Sequence, residues 1–538
     1  MIDPKAALVT SSESKPKFRT GTSSDEPTVD DGFDSSGEQK TGSSDNSMRL
    51  RDTGLHSRES SVAELVDVVV IGMGPGGEFV AGELLDRGLK VVAIESELMG
   101  GECADWGCVP TKMMVRAANL LAEAGRVNGV AGSASVTGDW TPVARRIREE
   151  ATKNWNDGEA IAAFEKKGGR FVRGDARLVG VSEIAINLWE SESGAIGKEI
   201  AVSPVLHEIA VGDIRFTPRI GVVLATGGKS SAPDILGLAD LPYWTNRDVV
   251  QLVDLPRSLV ILGGGAIAVE LGQILARFGV SVTIVEVADR LLASEEPEAG
   301  AMLEKIFRAE RIKVITGATV DRVTHIEKVF ELDLGVQGLV RADRLLVATG
   351  RQPDLKHLGV EIIGVDPTSS HLETDENMRV APGIWAVGDV TGRGSFTHVA
   401  TYQAHIAVAD ILGEPIQGAD YHAVPRVVYT DPEIGSVGMS EESARAQGFK
   451  VRIGLAPIPK EARGWIHKVG NDGLIKLVED YDRGVLVGAL SIGPCGGEVL
   501  ALLTLAVHAE VSTSTLKSML YAYPTFHRAI ETALSDLH

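Results

Sequence analysis

Residues 67–95 read DVVVIGMGPGGEFVAGELLDRGLKVVAIE. The unbroken apolar run Val68–Ile71 has the character of a strand covered on both faces. Gly72, Gly74 and Gly77 follow at G-x-G-x-x-G spacing, then a helix-like stretch, then a second apolar strand that ends at Glu95. Each part has a physical reason. The first glycine permits a tight turn, the second lets backbone approach a pyrophosphate, and the third brings helix close to strand. The helix N-terminus then faces the phosphates. Glu95 stands 23 residues beyond Gly72, where a carboxylate can accept hydrogen bonds from an adenosine ribose. The stretch reads as a dinucleotide-binding unit, which places the chain in the α/β class.

The pattern recurs in residues 258–286, SLVILGGGAIAVELGQILARFGVSVTIVE, with Gly263, Gly265 and Ala268 in the glycine slots and Glu286 at the end. Gly72 and Gly263 are 191 positions apart, and so are Glu95 and Glu286. The triplet ATG twice follows an apolar strand, at Ala225–Gly227 and Ala348–Gly350, which adds Thr226, Gly227 and Gly350 to the candidate cofactor-binding residues. Two such units imply two nucleotides. A hydride donor needs only one, so the other unit is expected to hold an electron carrier, and FAD beside NAD(P)H is the simplest pair. A carboxylate at Glu286 welcomes a free 2′-hydroxyl and repels a 2′-phosphate, which favours NADH. Arg290 lies close enough to keep NADP(H) as the alternative.

The bulk properties narrow the remaining classes. At 538 residues the chain can build three or four packed modules. A formal charge of −21 argues against nucleic-acid binding, which needs a basic stripe to replace counterions. No apolar run is long enough to span a membrane. The N-terminal stretch MIDPKAALVTSSESKPK lacks the apolar core of a secretory signal, so a cytoplasmic protein is expected. Residues 1–64 are rich in Ser, Asp, Glu, Thr and Gly, and read as an unstructured tail or as sequence upstream of a start at Met48.

Two of the three cysteines fall in GGECADWGC, residues 100–108, a run that begins five residues after Glu95. α-Carbons five apart in an ideal helix are roughly 8–9 Å apart, and a disulfide needs less than about 7 Å. A bond between Cys103 and Cys108 therefore requires an irregular turn, for which Gly107 offers freedom, with Pro110 opening the next helix. Lys112 lies one turn past Cys108 and would favour its thiolate. No CxxC partner or clustered histidine offers four ligands, so no resident metal is expected. Two packed thiols remain the plain alternative.

The stretch GGECADWGCVPTK resembles the redox-active segment of the flavin-dependent pyridine nucleotide–disulfide oxidoreductases, the family of dihydrolipoamide dehydrogenase, glutathione reductase and mercuric reductase. The resemblance runs from about Val66 to the C-terminus. GIWAVGDVTG, residues 383–392, resembles the second flavin motif and implies roles for Gly388 and Asp389, the latter on the ribityl chain. RGDARLVG, residues 173–180, resembles the segment that meets the adenine near Ala176, and Gly101 joins the flavin-side residues. The resemblance implies that Cys103 and Cys108 form a redox disulfide, with Cys108 next to the flavin and Cys103 attacking the substrate. It also implies a pairing of Lys112 with Glu270.

One segment departs from the family pattern. The partner subunit of these enzymes supplies an HPTxxE-like stretch whose histidine shuttles a proton. Here YAYPTFHRAIETAL, residues 521–534, puts Tyr523 in the histidine's place and Arg528 in the glutamate's. His527 would lie one turn from Tyr523 if that stretch were helical, which makes it the candidate substitute for the missing histidine. An unperturbed tyrosine titrates near 10 and a histidine near 6.5, so turnover of lipoamide is doubtful and the acceptor is left open among a small-molecule disulfide, a quinone and a metal ion. The reading divides the chain into the tail (1–64), an FAD-binding domain (65–230), an NAD-binding domain (231–350), a return flavin segment (351–415) and an α+β interface domain (416–538) that makes a homodimer.

Overall fold

The computed structural model describes residues 63–182 and 206–538. The expected tail lies outside the described residues except for its last two positions, and Met48 lies outside them too. The opening motif folds as strand β1 (Glu64–Ile71), helix α1 (Pro75–Asp86) and strand β2 (Val91–Glu95). β1 pairs in parallel with β2 on one side and with the long strand Ile214–Leu224 on the other. Flanked on both edges and covered on both faces, Val68, Val69 and Val70 are fully buried, which is why that run carries no polar alternation.

Strand Ile384–Ala386 returns from much later in the chain and adds in parallel to Ile214–Leu224. It delivers residues 388–397 to the ends of the first sheet's strands. The second repeat forms its own four-stranded parallel sheet in the order 313–315, 281–285, 258–262, 344–347, with the helix Ala266–Arg277 packed on it. Residues 425–493 supply a five-stranded antiparallel sheet, which the apolar helix Gly496–His508 covers. Among the described residues no helix is long and apolar enough to cross a membrane.

The cysteine segment forms a short helix, α2 (Gly101–Asp105), a break at Trp106–Gly107, and a long helix, α3 (Cys108–Gly125). Two local expectations need correction. The left-handed backbone is at Gly100 (φ +106°) and Gly101 (φ +61°), whereas Gly107 has φ −124°. Gly107 is small because a Cβ there would stand 3.0 Å from the carbonyl oxygen of Glu102. Pro110 does not open α3. It is the third residue of a helix that begins at Cys108, where its missing N–H costs nothing because first-turn amides lack intrahelical partners.

Candidate active site

A cavity of about 810 Å³ runs along the C-terminal ends of the first sheet's parallel strands and reaches α3 and the Ala266–Arg277 helix. Such crevices are where open α/β sheets bind ligands. The first glycine-rich turn lines this cavity, whereas Gly263, Gly265, Glu286 and Gly350 of the second unit are not among its lining residues. A Cβ on Gly72 would lie 2.3 Å from the oxygen of Ala225, and one on Gly77 would lie 1.9 Å from the oxygen of Gly72. Gly74 is different. A Cβ there meets no atom within 4 Å, so the missing side chain leaves open space at the α1 N-terminus. Gly101 closes on this spot, its own Cβ position 2.8 Å from the Gly74 α-carbon. The second unit repeats the geometry: Gly263 would clash with the Ala348 oxygen at 2.4 Å, and Gly265 faces open space.

These features fit bound dinucleotides, whose pyrophosphates need close backbone approach at a helix N-terminus. Glu95 caps β2 with its carboxylate accepting from Met73 N–H (2.7 Å) and Glu97 N–H (2.8 Å). Glu286 ends its strand likewise and accepts from Ala288 N–H at 2.7 Å. The Arg290 guanidinium donates to the Ala293 carbonyl at 2.8 Å and pairs with Asp289 at 3.4 Å. Ala176, Thr226, Gly227, Gly388 and Asp389 all line the first cavity, while Gly350 (φ +134°) follows the second ATG strand. Burial pushes the Asp389 carboxyl above its usual range, against the pull of Arg351.

The two cysteines face this cavity and are free thiols. Thr397, the first residue of helix Thr397–Ile411, donates from Oγ1 to Cys103 Sγ at 3.0 Å and stands 3.7 Å from Cys108 Sγ. One hydroxyl therefore touches both sulfurs. The Cys103 thiol donates to Cys108, and with support from Thr397 and Lys112 this holds Cys108 down to about 6 against the opposing effect of burial. The same donated bond, then burial, pushes Cys103 far up. The direction of both shifts favours the thiolate on Cys108 and the proton on Cys103.

Lys112 Nζ lies 2.5 Å from Glu270 Oε2 and 4.5 Å above the centre of the Tyr429 ring. Glu270 is buried, and its other oxygen accepts from Tyr429 N–H at 2.8 Å. One lysine from the cysteine segment is thus held by a carboxylate of the second dinucleotide unit and by Tyr429, which follows the strand Pro425–Val428. Tyr523 is not at this site in its own chain. It is 69% exposed, with the Arg528 guanidinium over its ring at 5.2 Å and Arg528 paired with Glu531 at 3.0 Å. His527 sits beside Thr525 and Tyr521.

Sequence reading missed four residues that organise the cavity: Glu102, Arg351, Thr397 and Tyr429. Each acts across a long stretch of chain, so local spacing carries no sign of it. Adjacency alone marks two of them, Glu102 beside Cys103 and Arg351 beside Gly350.

The pyridine nucleotide-disulphide oxidoreductase family model matches residues 66–404, and the model of that family's dimerisation domain matches residues 424–534. The dihydrolipoyl dehydrogenase of Chlorobaculum tepidum is 32% identical over 485 residues, covering 88% of this chain and 98% of the relative. The mercuric reductase of Bacillus cereus is 28% identical, covering 87% of this chain and 71% of the relative. A copper(II) complex of the HOCl-induced flavoprotein disulfide reductase RclA of Escherichia coli has the same fold, with TM-score 0.73 and 24% identity, covering 88% of this chain and 99% of that one. With two repeated nucleotide turns, a cysteine pair between them and a matching dimerisation domain, the chain belongs to the pyridine nucleotide-disulphide oxidoreductases, a family of flavin-dependent enzymes.

Proposed function

We propose that the protein oxidises NADH and passes the electrons, through FAD and the Cys103–Cys108 pair, to a small-molecule acceptor that needs no histidine base. The observation that carries this reading is the polarised cysteine pair: both sulfurs touch one hydroxyl inside the cavity that the glycine turns open. Bound FAD would supply two-electron exchange between a hydride donor and the sulfurs. Gly72, Gly74, Gly101, Glu95 and Asp389 would hold it.

The chain's own residues have distinct parts in this reading. Cys108, favoured as the thiolate, is in this reading the sulfur next to the cofactor, and Cys103 keeps its proton until the external acceptor takes up the electrons. Lys112 keeps a positive charge beside the thiolate, and Glu270 fixes that ammonium so that it does not swing toward solvent. On the nucleotide side, Glu286 stands at the strand end with its carboxylate already held, while Arg290 is engaged elsewhere, which supports NADH over NADPH. A cytoplasmic location is proposed with it.

Tyr523 and Arg528 replace the family's proton-relay pair, so lipoamide and glutathione disulfide should turn over slowly. Quinones or metal ions are the acceptors that avoid that step. Anaerobic titration of the purified holoenzyme tests the core of the proposal. Uptake of four electrons per subunit from NADH is expected, with NADPH far less effective. Uptake of two would leave a simple flavin reductase with incidental cysteines.

A further inference from the structure

The residue between Gly101 and Cys103 is a glutamate with an unusual number of partners. Glu102 Oε1 accepts from Asn246 Nδ2 at 2.6 Å and from Arg351 at 2.9 Å. Glu102 Oε2 accepts from Arg247 Nε at 3.1 Å and from a terminal Arg247 nitrogen at 2.9 Å. The three partners come from well outside the cysteine segment. Asn246 and Arg247 open the short helix Asn246–Val250, and Arg351 begins a strand that pairs with Lys229–Ser230.

The partners extend the grip on both sides. Asn246 Nδ2 also donates to the Trp106 carbonyl at 2.9 Å, so it holds both ends of the turn that separates the cysteines. The Arg247 guanidinium lies over the Trp106 ring at 5.3 Å, and that ring stacks on Trp155 with centroids 5.6 Å apart. Arg247 reaches Glu97 at 2.7 Å, just past β2, and Arg351 reaches the Gly228 carbonyl and stands 3.7 Å from Asp389. The Glu102 side chain is only 25% exposed. Burial alone would discourage its ionisation, but the Arg351 and Arg247 guanidinium groups outweigh this and hold its carboxyl below the usual range.

We propose that Glu102 is the positioning residue of the redox turn: by gathering Asn246, Arg247 and Arg351 on one carboxylate, it fixes α2 so that the Cys103 thiol stays directed at Cys108. The need for such a clamp is visible in the local chain. α2 has five residues, begins on two left-handed glycines and ends at a break, so it cannot hold its own geometry. Thr397 Oγ1 meets Cys103 Sγ at 3.0 Å and Cys108 Sγ at 3.7 Å, so the two sulfurs stand around one hydroxyl only while α2 keeps its place, and Cys103 is the first cause that holds the Cys108 thiol down. Loosening α2 therefore costs Cys108 its donor, and the thiolate becomes harder to form.

This inference rests on the reading of Cys103 and Cys108 as the redox pair, and the two can fail separately. The test is the pH dependence of Cys108 alkylation by iodoacetamide in dithiothreitol-reduced holoenzyme, followed by peptide mass spectrometry. Glu102→Gln and Arg247→Gln change the local charge in opposite directions but both open the clamp. Both are expected to raise the Cys108 midpoint by about one unit, a roughly tenfold loss of alkylation rate below it. Glu295→Gln is the control, because it breaks a comparable buried pair, Glu295 with Arg426 at 2.9 Å, far along the chain from α2. It should leave the midpoint in place. Opposite shifts in the two clamp variants would reveal simple charge effects and overturn the proposal, as would no shift or an equal shift in Glu295→Gln. Failure of the redox-pair reading shows independently, as no gain of alkylatable thiols when wild-type protein is exposed to NADH without oxygen.

Discussion

At the scale of single residues, the chemistry depends on how one proton is shared. Cys103 and Cys108 have the same side chain and lie five residues apart, yet one is made acidic and the other the reverse. The difference is directional: Cys103 donates, and Cys108 receives from Cys103 with help from Thr397 and Lys112. Replacing Cys103 with alanine removes the leading contribution while leaving Lys112 and Thr397 in place. Cys108 alkylation should then have a midpoint well above 6, and at pH 6.5 it should be about tenfold slower than in the reduced parent. The sign follows from the anion: a donor stabilises the thiolate and lowers its midpoint, so without the donor the thiolate forms only at higher pH. An unchanged midpoint would shift the credit to Lys112. This asymmetry is not legible from GGECADWGC alone, since Thr397 enters from 289 residues beyond Cys108.

At the scale of the element, the glycine turns show what a short motif can encode. Their spacing is legible in sequence because each glycine answers a constraint within its own strand–turn–helix unit. The constraints are not equal, however. Gly77 is required by the protein itself, since a Cβ would sit 1.9 Å from the Gly72 oxygen, whereas Gly74 borders open space. Gly77→Ala should therefore lower the melting temperature of apoprotein and holoprotein alike by several degrees or prevent folding. Gly74→Ala should leave the apoprotein's melting temperature within about a degree of the parent while reducing flavin content after purification. Melting curves of both forms and the flavin-to-protein absorbance ratio separate the cases. A Gly74→Ala protein that retains full flavin would mean that the opening at α1 is not where the pyrophosphate approaches. The Trp106–Gly107 break could not be read in this way. It is held from outside, by Asn246 and Arg247, and the sequence near the cysteines contains no trace of either.

At the scale of the whole molecule, the departure from the family pattern falls in the segment that matches the dimerisation domain. The two parallel strand–turn–helix–strand units follow from local repeats and were accessible to reading, whereas the order of the sheets draws on strands from elsewhere in the chain. The surroundings of the C-terminal segment were not accessible either, because exposure there is set by packing across the chain that local spacing does not encode. Tyr523 is 69% exposed and Leu520 97% exposed, and neither lines the cavity of its own chain. Both lie in the region that matches the dimerisation domain. Apolar surface of this kind is costly to leave in water and is ordinarily covered by a partner. If the partner's segment closes each cavity, then a site needs Cys108 from one chain and Tyr523 from the other. Mixed dimers test this directly. A Cys108→Ser homodimer should be inactive toward the acceptor, and a Tyr523→Ala homodimer should be impaired. Co-expressed with different affinity tags and purified as the heterodimer, the two chains restore one intact site of two. About half of the parent rate per dimer is then expected. In a molecule whose tyrosine served its own chain, both sites of the mixed dimer would carry a lesion, and the rate would be no more than about half that of the Tyr523→Ala homodimer. A Tyr523→Ala homodimer with the parent rate would remove the tyrosine from the reaction altogether, leaving the exposed apolar face as a purely adhesive surface.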